Sequence, residues 1–141
     1  MPQIAGLIAE HRILEGEAAR LVAIVAGRVP DGAAVAAVRW RMAEALLDHC
    51  AREDRLVYDA LLNAEDPVAA DLAWRYREDH GAIGAAFTRY VTEWPVSRVA
   101  REWDRFREET HAIVAMLAER MAREETILYP LARDMEVRRA A

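Results

Sequence analysis

Five residues of this chain combine metal-ligating chemistry with helical spacing: His11, His49, Glu53, His80 and Glu124. Arg120 stands four positions before Glu124, as His49 stands four before Glu53. Side chains four apart on a helix share a face, so His49 and Glu53 can address one ion. All six fall on otherwise apolar stripes. One runs Ile4, Leu7, His11, Leu14, Ala18, Leu21, Val25, and a second Val35, Val38, Met42, Leu46, His49, Glu53, Leu56. The third reads Leu72, Tyr76, His80, Ile83, Phe87, Tyr90, and the fourth Val99, Trp103, Phe106, Thr110, Ile113, Leu117, Arg120, Glu124, Ile127, Leu131. A buried imidazole or carboxylate is costly unless it has a partner or binds a metal. One such histidine is ordinarily a satisfied core residue, whereas six ionisable groups on four stripes point to a site. Imidazole with carboxylate suits iron, manganese or zinc, while calcium and magnesium ask for oxygen shells.

The elements that must position these groups follow from the breakers. Gly27-Arg28-Val29-Pro30-Asp31-Gly32 is dense in turn formers, and Asp66 can cap a helix that opens with Pro67. A third break lies around Trp94-Pro95-Val96-Ser97. Between them apolar residues recur at steps of three and four, which predicts amphipathic helices. Four such helices with short connections predict an all-α, antiparallel up-down four-helix bundle in one domain, 1–141, made of helix pairs at about 4–63 and 67–136. In that packing His11 and His49, each nineteen residues from Pro30, lie level. Glu53 and His80 lie fourteen and thirteen residues from Pro67, again level. Arg120 is level with His80 only if the third turn centres near residue 100, with Trp94 to Arg101 partly a linker or short extra turn. Otherwise His111 is the level residue, although it stands one step off its stripe.

The halves repeat. Ala51-Arg52-Glu53-Asp54-Arg55-Leu56-Val57-Tyr58 matches Ala122-Arg123-Glu124-Glu125-Thr126-Ile127-Leu128-Tyr129 at an offset of 71 residues. At an offset of 69, His11 falls on His80, Leu14 on Ile83, Arg20 on Arg89 and Val22 on Val91. Each half therefore supplies one histidine, then a residue followed by glutamate four later.

Composition sets the bounds. The 141 residues are 54% hydrophobic and 30% charged, which suits a folded helical domain and not a disordered one. The formal net charge of −5, without a basic arm, argues against nucleic acid as a partner. A single cysteine, Cys50, excludes an internal disulfide and suits a reducing compartment. The start, Met1-Pro2-Gln3-Ile4-Ala5-Gly6, lacks the pattern of a signal peptide, and no apolar run is long enough for a bilayer. A cytoplasmic protein away from membranes is expected.

These residues, in this order and spacing, resemble the hemerythrin-like, or HHE cation-binding, family. Its members place a histidine on helices one and three and a His-x-x-x-Glu on helices two and four, often running into an acid, apolar residues, an aromatic and a proline. Here helix two has His49-Cys50-Ala51-Arg52-Glu53-Asp54. Helix four has Arg120-Met121-Ala122-Arg123-Glu124-Glu125-Thr126-Ile127-Leu128-Tyr129-Pro130. The likeness spans essentially the whole chain. It implies that His11 and His49 hold one iron, that His80 holds another, and that Glu53 and Glu124 bridge them. The family's histidine on helix four is Arg120 here, and the further helix-three histidine of oxygen carriers falls on Gly84. Oxygen transport in the strict sense is therefore not implied.

A guanidinium stays protonated and offers no lone pair to a metal. Three states are open: two irons, one metal at His11, His49 and the carboxylates, or a metal-free core in which Arg120 replaces the cation. The first two suit a non-haem iron protein that binds or senses dioxygen, nitric oxide or peroxide, or handles iron. The third suits a helical interaction or signalling module. A ferritin-like or oxygenase enzyme needs two Glu-x-x-His motifs, and the chain has one, Glu108-Glu109-Thr110-His111. No organic substrate pocket is legible, so binding is expected over turnover. The pattern leaves room for a protein partner or a homodimer.

Overall fold

The computed structural model describes residues 2–140, apart from the side chains of residues 2, 80, 139 and 140. It is all-helical, with no strand among the described residues. Helix α1 spans Pro2–Val25. Helix α2 spans Gly32–Glu53 and continues through a π-helical turn, Asp54–Tyr58, into Asp59–Leu62. Helix α3 spans Pro67–Glu93, and a short α4 spans Val96–Arg101. Helix α5 spans Trp103–Arg123 and continues through a second π turn, Glu124–Leu128, into Tyr129–Ala140.

The Asp66 cap is the expected one, and Asp31 provides a further cap for α2. Asp31 accepts a hydrogen bond from the Ala34 amide, and Asp66 accepts from Val68 and Ala69 with Pro67 in the first turn. Each cap satisfies amide groups that the helix itself leaves without partners. The fourth apolar stripe needs correction. It does not run through one helix from Val99, because Val99 belongs to α4 and Glu102 leaves helical geometry at φ −125°, ψ 50°. Side chains close the start of α5 onto the end of α1. The Trp103 indole donates to the Gly27 carbonyl at 2.8 Å, and Arg107 donates to Val25 at 2.6 Å and to Gly27 at 3.2 Å. These bonds satisfy carbonyls at the C-terminal end of α1.

The core divides into two apolar clusters. One gathers Leu21, Val25, Val35, Val38, Phe87, Tyr90, Trp94, Phe106 and Ile113 among others. The other gathers Ile4, Leu7, Val57, Tyr58, Leu61, Ala73, Leu128, Tyr129 and Met135 among others. Between them lies a buried polar layer that includes His11, His49, Glu53, Arg120 and Glu124.

Both π turns begin where a glutamate of that layer sits. Asp59 donates its amide to the Asp54 carbonyl and Tyr129 to the Glu124 carbonyl, each five residues back. In a regular helix residues five apart point about 140° away from one another. Widening the turn brings Glu53 with Tyr58, and Glu124 with Tyr129, to one buried side. Pro130 follows the second turn, but Asp59 occupies the matching place after the first, so proline is not required for the widening.

Candidate metal centre

His11 on α1, His49 and Glu53 on α2, and Glu124 on α5 converge in the polar layer. One donor atom from each lies within 4.8 Å of the others, and all four side chains are buried. His11 Nε2 is 3.1 Å from His49 Nε2 and 3.0 Å from Glu124 Oε1. His49 Nε2 is 3.0 Å from Glu53 Oε2 and 3.9 Å from Glu124 Oε1.

The outer nitrogens orient the two rings. His11 Nδ1 lies 2.8 Å from Glu125 Oε2, and His49 Nδ1 lies 2.8 Å from Glu10 Oε1. An ionised carboxylate only accepts, so each Nδ1 carries a proton and donates it. That tautomer leaves both Nε2 lone pairs unprotonated and converging, with the two atoms 3.1 Å apart and the rings tilted by 54°. Two lone pairs at that separation repel unless a cation is shared by both. The donor set thus fits a metal ion of the kind that accepts imidazole and carboxylate, and histidines backed by carboxylates are the usual way to hold one. Glu10 and Glu125 are themselves tied at the surface to Arg52 and Arg12.

In the metal-free chain a proton takes the place of the cation. Burial by itself would depress the His49 imidazole. The hydrogen bonds that the ring donates to Glu124 and Glu53, the charge of Glu53 and the hydrogen bond to Glu10 outweigh burial, raising the pKa from 6.5 to about 10.

Tyr129 closes the next layer. Its hydroxyl donates to Glu53 Oε2 at 2.6 Å and lies 3.1 Å from His11 Nε2, and its ring stacks on His11 with centroids 5.5 Å apart. Burial first, then the charges of Glu53 and Glu124, raise its pKa well above the phenol range. The hydroxyl therefore remains a donor at physiological pH.

Arg120 lies on the other side of Glu124, with Nε 3.4 Å from Oε2. Its Nη2 donates to the Tyr58 hydroxyl at 2.9 Å and to the Tyr76 carbonyl, and its carbon lies 4.9 Å from the centre of the Tyr76 ring. Nη1 points toward Asp79 at 3.7 Å, in an open cleft of about 250 Å³ between α3 and α5.

Four of the five expected ligands are thus brought together. The side chain of His80, the fifth, lies outside the described residues. His111 is exposed and stays out of the cluster, so it does not supply the missing ligand on α5. Glu15 pairs with Arg12 and also stays out. Cys50 lines a small cavity beside His49 without joining the four.

Sequence reasoning missed Glu10 and Glu125, which stand next to a ligand in the chain but act on a ligand of another helix. It placed Tyr58 and Tyr129 only as members of the repeated segments. The signal for more was present, since the two occupy matching positions of the repeat.

Neither the curated proteins nor the solved structures contain a match to the chain. The family model described as Hemerythrin HHE cation binding domain matches residues 3–132. That span covers nearly the whole chain and includes every residue of the cluster, so the chain belongs to the hemerythrin family of HHE cation-binding domains.

Proposed function

We propose that the chain is a non-haem iron protein whose site binds or senses a small molecule such as dioxygen, nitric oxide or peroxide, or handles the iron itself. His11, His49, Glu53 and Glu124 would hold the metal, with His80 as a further ligand on the grounds of the sequence repeat. The observation that carries this reading is the pair of Nε2 atoms turned toward each other at 3.1 Å, with both outer nitrogens bound to carboxylates. Bound iron would supply open coordination positions and redox chemistry toward small oxygen and nitrogen ligands.

The chain's own residues set what can reach it. A cavity of about 20 Å³ touches His49 and Glu124 and is walled by Leu14, Leu46, Leu117 and Met121. That is room for about one water-sized molecule, so this cavity fits a small ligand and not an organic substrate. The wall is mostly apolar, with Arg120 also lining it, while Tyr129 holds Glu53 in place.

We read the four long helices as an antiparallel up-down bundle forming one domain. Ile4 and Leu7 of α1 share a cluster with Tyr58 and Tyr129, late in α2 and α5, whereas Leu21 and Val25 share one with Val35 and Phe106 near their starts. No helix among the described residues is long and apolar enough to cross a membrane, and a cytoplasmic location is proposed from the lone cysteine.

The test is elemental analysis with an ultraviolet–visible spectrum, on protein purified without chelator and reconstituted anaerobically with ferrous iron. One or two irons per chain, with new absorption on oxidation, are expected. A folded protein that takes up no metal would overturn the reading. It would favour a second one, a metal-free interaction module, which the guanidinium already beside Glu124 supports.

A further inference from the structure

We propose that Arg120 stands in the place of a second cation, so that the cluster takes one metal ion per chain and not a pair. The inference rests on the reading of His11, His49, Glu53 and Glu124 as a metal site, and it concerns how many ions that site accepts.

The carboxylate of Glu124 has two sides. Oε1 faces the imidazoles, 3.0 Å from His11 Nε2. Oε2 faces the guanidinium, 3.4 Å from Arg120 Nε. A carboxylate bridging two metals would offer one oxygen to each, and here a permanent organic cation lies where the second ion would sit. Metal–oxygen bonds of this class are about 2.1 Å long. An ion at that distance from Oε2 on the Arg120 side would press against the guanidinium.

Moving the guanidinium aside, into the open cleft by Asp79, would cost it its buried partners. Tyr58 and the Tyr76 carbonyl accept from Nη2, the Tyr76 ring lies against its carbon, and the residue is 6% exposed. Tyr58 and Tyr76 belong to α2 and α3, so moving Arg120 out would undo contacts to two other helices.

Charge argues the same way. Arginine remains protonated in proteins, so the positive charge is permanent. One divalent ion and one guanidinium already over-balance the two buried carboxylates, Glu53 and Glu124, while Asp79 beside Nη1 is exposed to solvent. A second divalent ion would enlarge that excess inside a buried layer, where repulsion between like charges is weakly screened. The site thus lacks a ligand at position 120 and carries a repulsive charge there.

The test loads the full chain anaerobically with ferrous iron and, in parallel, with zinc. Metal per chain is then counted by elemental analysis, and affinity is measured by competition with a chelator. The expected count is about one for either metal. A count of two overturns the inference and leaves the metal-site reading intact, whereas a count of zero removes both. Two variants probe the residue itself. Arg120→Met removes the charge without adding a ligand, and its single ion should bind on the order of tenfold tighter. Unchanged or weaker binding would mean that Arg120 only positions Glu124, and would overturn the charge role. Arg120→His supplies a ligand and removes the permanent charge, and the count should rise to two. A folded Arg120→His protein that still takes one ion would show that Arg120 does not set the count. If that variant fails to fold, the wild-type count and the Arg120→Met affinity decide.

Discussion

Two imidazoles are held with their Nε2 atoms 3.1 Å apart because carboxylates from other helices grip their outer nitrogens. Glu10 of α1 holds His49 of α2, and Glu125 of α5 holds His11 of α1. Removing such a partner loosens the ring and lowers its basicity. Glu10→Gln and Glu125→Gln should each weaken metal binding by about 10–100-fold while leaving the helical content unchanged, as competition titration and circular dichroism would show. The same pair predicts a pH dependence for the metal-free chain. His49 is raised from 6.5 to about 10, so its contribution to stability is fully present below 6.5. Between those values the folded state holds a proton that the unfolded state lacks. Stability therefore falls as pH rises and the contribution is lost above about 10. Urea midpoints should decline between these limits. Metal affinity should rise over the same interval, because the ion must displace that proton.

At the scale of elements, the two π turns decide which side chains reach the polar layer. Each inserts one residue between a buried glutamate and the buried tyrosine five positions on. In a regular helix the tyrosine would reach the same face at the fourth position. Deleting the exposed Ile127 should therefore convert the second turn to ordinary helix and keep Tyr129 on the face of Glu124. The variant should fold and still bind metal, with a stability loss of about 1–2 kcal/mol from the lost contacts. Deleting both Thr126 and Ile127 should instead turn Tyr129 away by about 100° and abolish metal uptake. Thermal melts and metal analysis of the two deletions check the pair of outcomes.

At the scale of the whole molecule, the polar layer separates two apolar clusters and is itself where α1, α2 and α5 meet. A metal there would tie three helices together and bind the folded state alone. At a free concentration 100 times Kd the fold should gain about 2.7 kcal/mol, seen as a rise in Tm on the order of 10 °C that a chelator reverses. The cluster around Phe106 carries a different buried cation. Arg39 is 5% exposed and lies 5.6 Å from the Tyr90 ring centre and 5.7 Å from that of Phe106, with no ion pair to a carboxylate among the described residues. Its Nε and Nη1 have no hydrogen bond, and burial lowers its pKa. Arg39→Met should therefore be neutral or stabilising by up to about 2 kcal/mol in urea unfolding, since a methionine fills similar space without desolvating a charge.

The helical content, the break points and the four residues that cluster in the candidate site were legible in the sequence. Helix periodicity is local, and His49 with Glu53, or Arg120 with Glu124, share a face whatever the rest of the chain does. The internal repeat showed that His11, the His49 motif and the Glu124 motif belong to one pattern. Other features were not legible, because they depend on distances between helices. Glu10 and Glu125 lie off the apolar stripes, and only packing reveals that each serves a histidine on another helix. The π turns arise where buried glutamate and tyrosine must both face inward, which spacing on an ideal helix does not show. The break at Glu102 divides a stripe that periodicity joined, although α4, Val96–Arg101, lies where the sequence allowed a short extra turn. Sequence alone singled out the residues of the candidate site. The tertiary structure decided which lone pairs meet and where the charge of Arg120 falls, because hydrogen bonds and Coulomb forces act through space and not along the chain.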